Sequence, residues 1–204
     1  VHHFIEEAAE KESQLVCLPE NFAFLGDDEA MVDQAAEIVN EIEEKFPVWA
    51  QEFDIHILAG GYPVPAGPSK VYNRASLFRA DGTIAAHYDK IHLFDVRLSK
   101  TEQYGESNYT KAGKPECVTA DVPALGVMGL SICYDVRFPE LYRKMADEGT
   151  NLITVPSAFT QKTGNDHWSI LLRARAIENS AYVIAPAQTG THGESRKTHG
   201  HSMI

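Results

Sequence analysis

The chain has 204 residues, 44% of them hydrophobic and 23% charged, enough for one globular domain over residues 1–204 with a sizeable core. A formal net charge of −11 argues against a nucleic-acid partner or an anionic membrane surface, and no apolar run is long enough to span a bilayer or to read as a signal peptide. Cys17, Cys117 and Cys133 form no close-spaced pair and leave an odd one out, which points to free thiols in a reducing, cytoplasmic setting and not to a disulfide framework.

Residues 2–12 have the pattern of a helix and 15–19 that of a short strand. Asp27 or Asp28 caps a long helix running toward Glu44, which Pro47 is expected to kink or break. Residues 55–59 predict a strand closed by Gly60-Gly61, and 73–78 and 83–88 flank Asp81-Gly82, a strong hairpin signal. The run 127–132 reads as a buried strand, and 137–148 as the helix after it, with Pro139 tolerated only in the first turn. Residues 151–155 predict a strand, 166–179 a helix, 182–185 a strand, and 199–204 the start of another. Mixed strands and helices in this order suggest stacked α and β layers. Because the chain opens inside a helix and closes inside an apolar strand, it is expected to lack elements at both ends.

Cys133 stands at the elbow where a strand stops and a helix begins. Backbone N–H groups there have no helical partner, so they favour a thiolate and can hold an oxyanion; the same residue also reads as a small buried apolar cysteine. A cysteine nucleophile needs a base, and none of the nine histidines stands out as one. His199 and His201 alternate along a strand, and His2 and His3 adjoin, but no further ligand falls at a metal-site spacing, so no metal is expected. Carboxylates are the other candidates. Glu20 follows an apolar strand and Pro19, where open α/β sheets place their sites; it also reads as a loop carboxylate facing water. Lys90, among apolar and aromatic neighbours, can stabilise developing negative charge or snorkel at the surface. Trp168, Leu171, Leu172 and Arg175 share one helix face, which makes Arg175 a carboxylate reader or, the favoured reading, half of a buried ion pair with Glu140 or Glu178.

Taken together, Leu18-Pro19-Glu20-Asn21, Tyr88-Asp89-Lys90-Ile91-His92-Leu93-Phe94-Asp95 and Cys133-Tyr134-Asp135-Val136-Arg137-Phe138-Pro139-Glu140 resemble the three signature segments of the nitrilase (carbon–nitrogen hydrolase) superfamily, in the same order and at similar separations. The resemblance covers essentially the whole chain. It is closest to the Nit amidase branch, through Pro156-Ser157-Ala158-Phe159, Thr163-Gly164, His167-Trp168, Leu172-Arg173-Ala174-Arg175-Ala176-Ile177-Glu178 and Gly200-His201-Ser202-Met203. Members of the family begin with a strand and loop before the equivalent of Val1 and continue past that of Ile204.

The resemblance implies a four-layer α-β-β-α sandwich, with the first two helices over one sheet and those after Cys133 and Asp166 over the other. It implies a Glu20–Lys90–Cys133 triad, with Glu106 of Gly105-Glu106-Ser107 as a second glutamate beside the thiol and Glu102 as a decoy. Lys90 and the backbone N–H of Tyr134 would hold the oxyanion. Phe22, Phe24, Tyr134 and Phe159 would line a dry pocket. Phe159, His167 and Arg173 are the candidate substrate contacts, with Lys162 and Arg196 as further ones. The loop 97–104 departs from the family pattern, being less apolar and lacking a Pro-Gly turn. No cofactor is implied. The implied activity is hydrolysis, through a thioester, of an amide in a small anionic 2-oxo acid, with deaminated glutathione the first choice. An omega-amidase acting on 2-oxoglutaramate, an N-carbamoyl hydrolase and a nitrilase are the alternatives, and a non-catalytic scaffold is the reading from another class. A homodimer or higher oligomer is expected, joined through the apolar faces of the later helices.

Overall fold

Two four-stranded sheets lie face to face, with a pair of helices over the outer face of each. The computed structural model describes residues 1–100, 102–193 and 196–204. In chain order the first elements are α1 (His2–Glu10), β1 (Leu15–Cys17), α2 (Asp28–Glu52), β2 (His56–Pro65), β3 (Val71–Phe78) and β4 (Ile84–Asp89). Next come β5 (Asp95–Arg97), β6 (Gln103–Gly105), a 3₁₀ turn (Glu106–Asn108), β7 (Val118–Val122), β8 (Gly126–Leu130) and a second 3₁₀ turn (Cys133–Arg137). The rest are α3 (Pro139–Asp147), β9 (Leu152–Thr154), α4 (Gln161–Asn179), β10 (Tyr182–Ile184), β11 (Thr189–His192) and β12 (Arg196–His199).

One sheet has the order β1-β2-β3-β4 and the other β10-β9-β8-β7. The pairs β1–β2, β8–β9 and β9–β10 are parallel; β2–β3, β3–β4 and β7–β8 are antiparallel. The two-residue period of a strand sorts the first sheet's side chains. Ile57, Ala59 and Phe78 pack under Ile5 of α1 and Ile42, Phe46 and Ala50 of α2. Leu58, Ala75 and Leu77 belong to a second cluster with Met128 and Leu130 of the other sheet, which continues to Leu141, Tyr142 and Met145 of α3 and Trp168 and Leu172 of α4. The layers are therefore α-β-β-α, as the resemblance implied.

Several local expectations are corrected. α2 is capped by Asp27, whose carboxylate accepts from the Glu29 and Ala30 N–H groups at 3.0 and 3.1 Å, and it continues past Pro47 to Glu52 without a break. A proline inside a helix costs about 3 kcal/mol. Burial of Phe46 and Ala50, and the Gln51 side-chain bond to the Asp81 carbonyl at 2.7 Å, hold the turn beyond it. β2 passes through Gly60-Gly61 as an irregularity between Ala59 and Tyr62. A 3₁₀ turn precedes α3, because the residue before a proline is pushed out of helical geometry: Phe138 sits at φ −112°, ψ 87°. α4 begins at Gln161, five residues before expectation, capped by Thr160. In place of a strand over 199–204, β12 ends at His199 and only an isolated bridge joins Met203 to Ala185. Position 101 of the loop 97–104 lies outside the described residues.

Candidate active site

β1 delivers the chain to Leu18-Pro19 and places Glu20 at the end of the first sheet. The neighbouring strand makes room for it. A Cβ on Gly60 would lie 2.1 Å from the Leu18 carbonyl oxygen, and one on Gly61 would lie 2.2 Å from Asn73 Oδ1 and 3.0 Å from Glu20 Cγ. The glycine pair is thus a close-approach device inside β2 and not its end.

Lys90 follows β4 and is only 2% exposed, so the snorkelling reading is set aside. Its ammonium lies 3.0 Å from Glu20 Oε1 and 3.1 and 2.9 Å from the two oxygens of Glu106. Asn73 of β3 donates to both carboxylates, at 2.9 Å to Glu20 and 3.3 Å to Glu106. The Ala158 N–H donates to Glu20 Oε2 at 2.8 Å and the Phe94 N–H to Glu106 Oε2 at 2.6 Å. Buried charges persist only where lone pairs and protons are satisfied in this way.

Cys133 opens the 3₁₀ turn with φ +49°, a left-handed conformation that costs a residue with a Cβ about 1–3 kcal/mol. Its N–H bonds the Pro156 carbonyl at 3.0 Å. Asp135, two residues on and fully buried, supports the turn. Its Oδ2 accepts from the Ile132 N–H at 2.9 Å and the Tyr88 hydroxyl at 2.8 Å. Its Oδ1 accepts from the His92 N–H at 3.1 Å and meets His92 Nδ1 at 2.7 Å. One carboxylate thereby ties the segment carrying Lys90 to the turn carrying Cys133. The His92 ring in turn stacks on Phe138 with centroids 3.6 Å apart.

The thiol of Cys133 and the carboxylate of Glu20 are near enough to shift each other's protonation. Burial raises the Glu20 carboxyl, but the Lys90 ammonium, the thiol and the Ala158 N–H outweigh it, and the net shift is downward. Burial and the Glu20 carboxylate push the Cys133 thiol well above its usual value, with Lys90 opposing. The expectation that the elbow alone favours a thiolate is corrected: lost hydration and a carboxylate neighbour outweigh the local N–H groups. Burial lowers Lys90, yet Glu106 and Glu20 more than offset it and hold the ammonium charged. The resting site is therefore a carboxylate pair, an ammonium and a neutral thiol.

These groups share a cavity of about 380 Å³. Phe24, Tyr134 and Phe159 line it beside Glu20, Lys90, Glu106 and Cys133. Phe22 does not; it packs on Phe46 and Tyr62, 5.8 and 6.2 Å away between centroids. His167 and Arg173 are likewise outside the lining. α4 turns Trp168, Leu172 and Arg175 inward, which leaves both on its exposed face, His167 3.2 Å from the Arg137 guanidinium. Lys162 is exposed and reaches the Leu98 carbonyl at 3.5 Å. Arg196 does line the cavity. Arg175 pairs with Glu178 at 2.5 Å and bonds the Val136 carbonyl at 2.9 Å, so it is a buried tie between α4 and the turn below Cys133. Glu102 meets the Tyr104 hydroxyl at 3.3 Å and stays out of the cavity. Among the described residues no group of three or more His, Cys, Asp or Glu is placed to hold a metal ion.

The family model described as carbon-nitrogen hydrolase matches residues 1–204. The chain belongs to the carbon–nitrogen hydrolase family. This carbon–nitrogen hydrolase is 50% identical over 202 residues to the deaminated glutathione amidase of Synechocystis sp., covering 98% of this chain and 74% of that one. Among solved structures, the C. elegans NitFhit protein superposes with a TM-score of 0.91 at 42% identity, over 99% of this chain and 50% of the other. An amidase from Nesterenkonia sp. AN1, solved with acrylamide added to its active-site cysteine, superposes at 0.82 with 28% identity, over 98% and 75% of the two chains.

Two residues of the hydrolase's site escaped the sequence reading. Asn73 bridges both glutamates, and with Arg74 and Ser76 beside it in β3 its polar amide carried no distinctive signal. Asp135 carried a stronger one: an acid two residues after the elbow cysteine, where a carboxylate can cap a turn.

Proposed function

We propose that this hydrolase is an amidase in which Glu20 is the base, Cys133 the nucleophile and Lys90 the oxyanion partner. As Cys133 Sγ attacks the amide carbonyl carbon, its proton passes to Glu20 and the carbonyl electrons move onto oxygen. The Lys90 ammonium and the Tyr134 N–H receive that oxyanion; a donor of this kind is worth about 3 kcal/mol in the transition state. The C–N bond breaks as Glu20 returns its proton to the leaving nitrogen, and a thioester remains. Glu20 then takes a proton from water, the hydroxide adds to the thioester, and the C–S bond breaks with the proton returned to sulfur. Glu106 holds Lys90 in place alongside Glu20, through both of its carboxylate oxygens.

The observation that carries this reading is the meeting of Glu20, Lys90 and Glu106 around the Cys133 turn, from segments far apart in sequence, in one cavity. The substrate we infer is deaminated glutathione, supported by the name of the Synechocystis relative. A hydrolysis panel of deaminated glutathione, 2-oxoglutaramate, N-carbamoyl amino acids and simple nitriles tests it. The first should give the highest kcat/KM; preference for a nitrile or carbamoyl compound would overturn the assignment. No helix among the described residues is long and apolar enough to cross a membrane. The three free cysteines support our reading of a reducing, cytoplasmic location. We also propose a homodimer or higher oligomer. Ile170 and Ile177, one heptad apart on α4, and Tyr182 after it are large apolar side chains left exposed.

A further inference from the structure

We propose that Arg196 is a specificity-determining residue that binds the carboxylate at the far end of the substrate's leaving amine. The inference rests on the amidase reading and sharpens it to amides whose amine portion ends in a carboxylate.

Among the described residues the cavity is lined by two cations, Lys90 and Arg196. Lys90 is engaged by one oxygen of Glu20 and two of Glu106. The Arg196 side chain makes no hydrogen bond or ion pair among the described residues, and its Nε is shielded from solvent without a partner. Asp28, its acidic neighbour in the cavity wall, is not within the 4.0 Å of an ion pair. An enclosed guanidinium donor left unpaired is unfavourable, and a carboxylate arriving beside it relieves the deficit. In a chain of net charge −11, and in a cavity that also presents Glu20, Glu106 and Asp28, this is the point at which an anion is attracted.

The strand that carries Arg196 is tied to the cavity wall. Arg196 opens β12, which pairs with β11; Thr198 bridges to Thr160, and the His199 N–H bonds the Phe159 carbonyl at 2.9 Å. The same segment supplies the Ala158 N–H to Glu20, so the guanidinium and the base share one support. Cys133 and Arg196 both line the cavity, the first buried and the second half-buried, so Arg196 is the more solvent-accessible of the two. A scissile amide seated on Cys133 presents its longer arm outward. In deaminated glutathione that arm is the amine side, which ends in a glycine carboxylate; 2-oxoglutaramate releases ammonia and has no such arm.

The test compares Arg196→Gln and Arg196→Lys with the parent enzyme on three amides: deaminated glutathione, the same compound with its glycine carboxylate capped as a carboxamide, and 2-oxoglutaramate. Arg196→Gln should lose about 10- to 100-fold in kcat/KM on the first, mainly through KM, the range expected for a charged hydrogen bond. It should match the parent on the other two. Arg196→Lys should recover part of the loss on the first alone, and it serves as the deciding variant if Gln loosens the hairpin. Equal losses on all three substrates, or a loss confined to kcat, would overturn the assignment of Arg196 while leaving the amidase reading intact. A parent enzyme inactive on all three would instead refute the amidase reading and this inference with it.

Discussion

Asp135→Asn tests whether one buried carboxylate joins the two halves of the site. In the parent, each oxygen of Asp135 accepts one backbone N–H, from Ile132 at 2.9 Å and from His92 at 3.1 Å, together with one side-chain group. The Tyr88 hydroxyl can rotate to become an acceptor and His92 can change tautomer; a backbone N–H can do neither. Whichever way the asparagine amide is turned, its NH₂ faces a backbone donor. One charge-assisted bond is lost, at about 1.5–3 kcal/mol, and a buried donor is left without a partner, at about 1–3 kcal/mol. The expected loss of stability is about 2.5–6 kcal/mol, read as a lower urea midpoint with an unchanged m-value. The residual folded enzyme should lose at least about tenfold in kcat, because the left-handed Cys133 turn is no longer held against Lys90. Tyr88→Phe removes one bond and leaves both backbone N–H groups satisfied, so it should cost about 1 kcal/mol. If Asp135→Asn unfolds within about 1 kcal/mol of the parent and keeps its kcat, the coupling through Asp135 is wrong.

Cys133→Ala should abolish hydrolysis while substrate still binds, whereas Cys17→Ser and Cys117→Ser should keep near-normal turnover; an acyl adduct trapped by mass spectrometry on Cys17 or Cys117 would contradict this. Those two thiols are pushed up to about 12 and about 11, chiefly by burial, and neither lines the cavity. Glu20→Gln should be nearly as severe as Cys133→Ala, since the shape stays and the base goes. Because Lys90 and the N–H donors hold Glu20 below its ordinary 4.5, the acid limb of kcat/KM should lie below about pH 4.5. The same depression means that Glu20's contribution to stability is present above its unfolded value and is lost as pH falls through the lower folded one. An acid limb near pH 6.5, the ordinary histidine value, would assign the base to a histidine instead. Sedimentation should give at least twice the chain mass, and a mass equal to one chain would refute the oligomer.

The parts legible in the sequence were those with one-dimensional signals. The layered fold followed from apolar runs alternating with helical periods, and Glu20, Lys90 and Cys133 stood out because each closes or follows a strand inside a distinctive segment. What escaped depends on contacts across the sheet. The glycine pair in β2 resembled a stop, and only the nearness of Leu18, Asn73 and Glu20 turns it into a passage. The hairpins β5–β6 and β11–β12 are short and polar, built from residues such as Arg97, Gln103, Arg196 and Lys197, so they carry no alternation to detect. His167 and Arg173 sat in family-like segments, yet helix phase settles their direction: with Trp168, Leu172 and Arg175 turned inward, both must face out.

The two opposed shifts at the site also decide how the nucleophile is made. With Glu20 pushed down and Cys133 pushed up, the resting proton favours sulfur over the carboxylate. Moving that proton to Glu20 leaves the net charge of the Glu20–Lys90–Glu106–Cys133 group unchanged at one negative. The charge relocates from carboxylate to sulfur to the carbonyl oxygen, and Lys90, clamped by Glu106, stays beside its whole path. Thiolate formation is therefore best coupled to attack, when the oxyanion supplies a better-stabilised home for the charge than sulfur does. In the proposed mechanism a lysine and two glutamates thus serve where a histidine would otherwise be required: the lysine never needs to lose its proton, and Glu20 alone carries one back and forth.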